Sequence, residues 1–206
     1  MNYFYVYQNQ TYYEEKSGGF LWSPKYAKGR SLHAGYETMK QVRPGDIILH
    51  SFFGHIVAIS IAKSFCYSAP RPSLAFSEWS NDGWKIDAEY YILANRFPTS
   101  SHISYLYKIQ PQNGPFTAAL KGKQQYLCNS SKQIFDYLIE KIINYQFLQS
   151  ERDKIRNFID TKINTILLDA TTSTPEPIKY IKCPKCELNY MIEGQQMCNS
   201  CQDAQN

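Results

Sequence analysis

Apolar and polar positions alternate in the first half of the chain and fall into helical stripes toward its end. Tyr3 to Tyr7 alternates aromatic and smaller side chains, as a strand does, and Ile47 to His50 and His55 to Ile61 are β-branched runs of the same kind. Phe52-Phe53-Gly54 between the last two predicts a short hairpin connection, and Pro44-Gly45-Asp46 before them is turn chemistry. Ser31 to Val42 spaces Leu32, Tyr36 and Met39 helically, with Ser31 as the expected N-cap. Trp84 to Leu93 predicts a strand with Trp84, Ile86, Ala88, Tyr90 and Ile92 on one face, preceded by a polar loop from Ser77 to Gly83. Residues 95–125 are rich in Pro, Ser, Gln and Gly, and one further strand is expected there, Ser104 to Ile109.

From Ser131 the pattern is helical, with Ile134, Leu138 and Ile142 four apart. A second helix is expected from Ser150, which forms a capping-box-like pair with Asp153, through Ile155, Ile159, Ile163 and Leu167. Helix propensity then collapses in the Thr- and Pro-bearing stretch from Ala170 to Pro177, which reads as a stiff polar linker. The reading therefore divides the chain into residues 1–147, a helical connector and linker over 148–178, and a small module over 179–206.

That module carries four of the six cysteines, as Cys183-Pro184-Lys185-Cys186 and Cys198-Asn199-Ser200-Cys201. Each pair can turn two thiolates to one point, and two such knuckles complete a tetrahedral sulfur site for Zn2+. The intervening Tyr190 to Gly194 reads as a hairpin that brings the knuckles together, as in a zinc ribbon. Four protein ligands leave no open position, so the metal is expected to be structural and its binding to supply most of the module's folding free energy. Two disulfides or a redox pair are the alternatives, and they fit a cytosolic chain poorly. Cys66 and Cys128 stand in apolar surroundings and read as buried, inert thiols.

Composition narrows the class. An apolar share of 43%, an aromatic share of 15% and a charged share of 19% exclude a disordered chain and a coiled coil. No apolar run approaches the roughly 20 residues that a bilayer requires, and no secretory leader opens the sequence, so the expected location is cytoplasmic. Net charge is +4, and the surplus is local: residues 1–150 hold 15 Lys and Arg against 10 Asp and Glu. Between positions 16 and 43, Lys16, Lys25, Lys28, Arg30, Lys40 and Arg43 face only Glu37. Such a segment suits phosphate contacts, with a solvated lysine-rich loop as the alternative.

Gly18-Gly19-Phe20-Leu21-Trp22-Ser23-Pro24 places a tryptophan between a flexible turn and this basic segment. Trp22 there can stack on a base while Ser23 bonds its edge, or it can be a core residue closing a barrel. Gln124, Gln125 and Tyr126 are either groove-lining or a polar loop. His50 and Ser51, after the Gly-Asp turn, read as groups that satisfy the backbone and fix the fold rather than a ligand.

Taken in order, Trp22-Ser23, the helix ending at Met39, Gly45-Asp46 with His50-Ser51, the strand Ile56 to Ile61 and Trp84-Lys85-Ile86-Asp87 resemble the PUA-like superfamily, its EVE branch first and the YTH domains as relatives. The resemblance spans roughly residues 1 to 145. It implies an α+β fold, a PUA-like β-barrel with flanking helices, and a pocket that takes one modified base flipped from a strand. Trp22 matches a cage residue and Ser23 the adjacent polar contact; a second wall falls to Phe76 or Trp79, while Trp84 keeps a core register. Lys25, Lys28, Arg30, Lys40 and Arg43 are the expected backbone contacts. The partner implied is modified DNA within a modification-dependent restriction system, or modified RNA as the alternative. A third alternative is an ASCH-type hydrolase of modified nucleosides, for which Glu78, Asp82, Lys85 and His50 offer acid and base groups without forming a known set. No HNH motif follows Cys201 and no PD-(D/E)xK set is present, so cleavage is expected from a nuclease partner or from a longer parent chain.

Overall fold

The computed structural model describes residues 1–26, 34–72, 79–172, 180–185, 190–192 and 196. The expected cap Ser31, with Leu32, Lys28, Arg30, Phe76 and Glu78, lies outside these residues, as do Cys186, Cys198 and Cys201.

The fold is mixed α+β. Strands β1 (Tyr3–Tyr7), β2 (Phe20–Pro24), β3 (Ile47–Phe52), β4 (His55–Ala62), β5 (Tyr67–Pro70), β6 (Asp82–Pro98) and β7 (Leu127–Asn129) form one sheet in the order β2-β6-β4-β3-β1-β7, with β5 also paired to β6. β1 runs parallel to β3, and the other pairs are antiparallel. Although β2 and β7 are the two ends of this order, the Trp22 amide on β2 donates to the Tyr126 hydroxyl just before β7 at 3.1 Å. The sheet therefore curls until its ends meet, as an open barrel with a seam.

The five α-helices among the described residues are α1 (Tyr12–Gly18), α2 (Ala34–Glu37), α3 (Ile103–Ile109), α4 (Lys132–Tyr145) and α5 (Gln149–Thr172). Both faces of the sheet are covered. Phe4, Val6, Leu21, Ile48, Trp84 and Ile86 point to the barrel interior with Met39 and Val42. Tyr5, Ile47, Leu49, Ile59 and Leu93 point to the other face, beneath Leu138 and Ile142 of α4 and Ile155 and Ile159 of α5. The opening turns of α5 thus pack on the sheet, within the span read as a connector.

The β3–β4 hairpin forms as expected, with Phe53 and Gly54 both at positive φ. Ser131 caps α4 by accepting from the Ile134 amide at 3.2 Å. Asp153 is engaged by Gln149 and Arg156 on the exposed side of α5 rather than in a cap. Two expectations are corrected. Ser104 to Ile109 is not a strand: Ile103, Leu106 and Ile109 repeat every third residue and pack on the outer core, so the segment is helix α3. Ile92 is 43% exposed, because β6 runs on to Pro98 and its buried face passes from the barrel interior, at Trp84 to Ala88, to the helix-covered side at Leu93 and Phe97. Beyond the barrel, β8 (Tyr180–Lys182) and β9 (Tyr190–Ile192) form an antiparallel hairpin, and β9 lies alongside β5. Among the described residues no helix is long and apolar enough to cross a membrane.

Candidate functional site

The seam opens into a cavity of about 560 Å³. β2 contributes Trp22, Ser23 and Pro24; β1 contributes Tyr5 and Tyr7; the segment before β7 contributes Lys123 to Tyr126; Tyr36 and Trp79 enter from loops and α2. The lining residues are aromatic rings, amides and hydroxyls. Lys123 is the one charged residue, and no carboxylate is present, among the described residues that line it.

Trp22 is 1% exposed, and its indole is fixed from three sides. Its ring lies across Gly83 of β6, where a Cβ would stand 2.3 Å from the indole, so only glycine permits this approach. Its Nε1 donates to the Ala69 carbonyl of β5 at 3.4 Å, and Trp79 stacks on it with centroids 6.1 Å apart and planes 14° apart. Trp22 thus presents no open stacking face and instead backs Trp79, which is half-buried and stands at the cavity wall. Ser23 follows with a hydroxyl that is buried and has no hydrogen-bond partner among the described residues. A buried hydroxyl in that state costs about 1–3 kcal/mol until a ligand or water meets it.

Behind the seam runs a polar chain that the sequence did not reveal. Ser60 donates to His50 Nε2 at 2.6 Å, and His50 Nδ1 donates to Gln8 Oε1 at 2.6 Å. Burial holds the His50 pKa down to about 3, so the ring is neutral. Gln8 Nε2 donates to the Glu15 carboxylate and to Tyr90 Oη, and Tyr126 donates to the same Glu15 oxygen at 2.7 Å while accepting from the Trp22 amide. His50 thus helps tie the sheet ends together and does not reach the cavity.

Burial pushes the Glu15 carboxyl up to about 7, against hydrogen bonds from Thr11, Tyr126, Gln8 and the Trp22 backbone that pull it down. Because its pKa is higher folded than unfolded, the native state holds a proton that the unfolded chain releases between about pH 4.5 and pH 7. Stability is expected to fall across that window by roughly 3 kcal/mol. Glu15→Gln should flatten the slope, which urea titrations at pH 5 and pH 8 would show.

The basic segment divides. Lys40 and Arg43 are exposed, Lys40 pairing with Glu37 at 2.6 Å and lying 4.8 Å from the Trp84 ring. Lys25 is corrected as a phosphate contact: it is 3% exposed, paired with Asp82 at 2.8 Å and 4.6 Å from the Trp84 ring centroid. Of the acid and base groups considered for hydrolysis, the three described do not converge. His50 is in the polar chain, Asp82 is taken by Lys25, and Lys85 lies over Phe20 and pairs with Asp87. Cys66 and Cys128 are buried thiols; burial raises both, Cys128 to about 12.

No family model matches the sequence, and no curated protein matches it. Solved structures are similar in fold. Protein Rpa0253 from Rhodopseudomonas palustris is 14% identical over 69% of this chain and 92% of its own, with a TM-score of 0.44. A hypothetical protein from Leishmania major is 7% identical over 69% of this chain and 94% of its own, at 0.49. The YTH domain of Zygosaccharomyces rouxii MRB1 protein, in complex with N6-methyladenosine RNA, is 10% identical over 68% of this chain and 86% of its own, at 0.41. Likenesses of this size assign this chain neither a family nor a function.

Proposed function

We propose that the protein is a reader of a modified base in a nucleic acid strand, with DNA as the strand and a modification-dependent restriction or defence system as the setting. The observation that carries the reading is the seam cavity: a stacked Trp22–Trp79 pair beside the buried Ser23 hydroxyl, which has no partner among the described residues. A flipped base stacks on Trp79, which Trp22 holds in place, and Ser23 supplies an edge contact. Stacking at about 1–3 kcal/mol per base offsets the few kcal/mol of unstacking. The lining residues described offer no carboxylate for acid or base work, which favours binding over hydrolysis. Lys40 and Arg43, both exposed, serve the phosphates.

The four cysteines belong to the same proposal as a structural zinc site. Cys183 is buried directly after β8, in the β8–β9 hairpin, which is where a ribbon places its first knuckle. Cys183, Cys186, Cys198 and Cys201 would hold the ion, which would fold the module and take no part in recognition chemistry. A nuclease partner completes the setting.

Trp79→Ala tests the pocket. It is expected to lower affinity for the modified strand by about 1–3 kcal/mol, roughly fivefold to 150-fold, with a small change for the unmodified strand. Fluorescence anisotropy on matched DNA and RNA strands reads it. Equal loss on modified and plain strands would remove the cavity from recognition, and binding confined to RNA would replace DNA as the target.

A further inference from the structure

The cavity is larger than its proposed base. At about 30 Å³ for each water, 560 Å³ is room for roughly 19 waters, more than the ring and single methyl of a methylated base take up. The base at Trp79 leaves much of the space unfilled.

Independent contacts locate the remainder. Thr99 donates to the Gly54 carbonyl at 2.9 Å, and the Phe53 amide donates to Asn9 Oδ1 at 2.9 Å, which gathers Asn9, Gly54 and Thr99 at the β3–β4 turn. Tyr5 lies 5.5 Å from Phe116 in an edge arrangement, and Tyr7 donates to the Pro115 carbonyl at 2.6 Å, which brings the 110–123 loop over the same end. Asn9, Gly54, Thr99, Tyr5 and Phe116 all line the cavity, so it extends from the Trp22–Trp79 pair to this second end.

The chemistry there is neutral and mixed. Aromatic faces carry negative π density that meets C–H groups, while amides and hydroxyls both donate and accept. A purely apolar substituent would make no use of the exposed Asn9 and Gln10 amides, and an anionic one would find only Lys123 among the described lining residues. A ring that shows C–H groups on its faces and hydroxyls at its edge satisfies both.

We infer that the second end receives a neutral, hydroxyl-rich substituent carried by the base, of the size of a single hexose, so that the cavity reads glycosylated bases in DNA in preference to methylated ones. The inference rests on the reader function proposed above and specifies its ligand class.

Anisotropy titrations of the full chain with one oligodeoxynucleotide test it, the central base being cytosine, 5-methylcytosine, 5-hydroxymethylcytosine or its glucosylated form. The glucosylated strand is expected to bind at least about tenfold tighter than the methylated one. Ile103→Phe, which fills the second end from α3, should erase that advantage and leave methylcytosine binding unchanged. Asn9→Ala, at an exposed lining position of the second end, should reduce the advantage without disturbing the core. If methylated and glucosylated strands bind equally and both exceed cytosine, the inference is overturned and the reader function stands. If no modified strand exceeds cytosine, the reader function fails and the inference with it. A glucose advantage that survives both substitutions would overturn the placement at the second end.

Discussion

Asp82→Ala is expected to destabilise the protein by about 3–5 kcal/mol, because it leaves the Lys25 ammonium buried without its counter-charge. The pair sits where β2 ends and β6 begins: Lys25 follows Pro24, and its amide donates to the Asp82 carbonyl at 3.2 Å. Asp82 also accepts from Ser68 of β5 at 3.1 Å, so one carboxylate joins β2, β5 and β6 beside Gly83, the residue over which Trp22 lies. Loss of the pair should therefore loosen the Trp22–Trp79 stack as well as lower the urea midpoint. The double change Lys25→Met with Asp82→Leu should recover most of the stability, since apolar replacement of a buried pair is often neutral. Its nucleic-acid affinity should match the parent, because Lys25 is turned inward. Lys40→Ala and Arg43→Ala should instead each reduce the dependence of log K on log salt by about 1. A salt slope that falls with the Lys25 change and not with the other two would return Lys25 to the phosphate contacts.

That contrast shows how far sequence reasoning reaches here. β1, the β3–β4 hairpin and α4 were legible because their signals are local: alternation, a turn at Phe53-Gly54, and a capping serine ahead of a four-residue stripe. Segment 104–109 misled because Ile and Tyr favour strands by propensity, while the stripe of Ile103, Leu106 and Ile109 meets a core assembled from distant strands. The same holds for the site. Trp22 and Ser23 stand out by their place between a glycine turn and the basic segment, yet whether the indole is open depends on Trp79 and on Gly83 and Ala69, which reach it through the pairing of β2 and β5 with β6. Glu15 and Tyr126 are 111 residues apart, and their bond follows from sheet closure, which no local pattern encodes. Lys25 read as basic surface because its partner Asp82 lies in another strand.

With the four cysteines as the proposed zinc site, removal of the metal is expected to unfold the C-terminal module while the barrel survives. The β8–β9 hairpin pairs only three residues on each strand, and two such short strands are at best marginal alone in water. Tetrahedral thiolate coordination contributes an apparent value of about 10–16 kcal/mol in small zinc modules, so with the proposed site the metal and the fold of this segment would be one equilibrium. The barrel has its own two-sided core, including α4 and the opening turns of α5, and needs no such support. Chelation should therefore release one zinc per chain and increase protease sensitivity beyond residue 172, with the cooperative urea transition of the barrel retained. Cys183→Ser should reproduce both changes without chelator, since a hydroxyl replaces one of four thiolate ligands. Because β9 lies alongside β5, whose Ala69 carbonyl holds the Trp22 indole, metal loss should also weaken modified-base binding modestly. A chain that contains no zinc after purification in its presence, or whose module resists protease equally well with chelator, would remove the metal from this account and leave the hairpin to hold by its packing on β5.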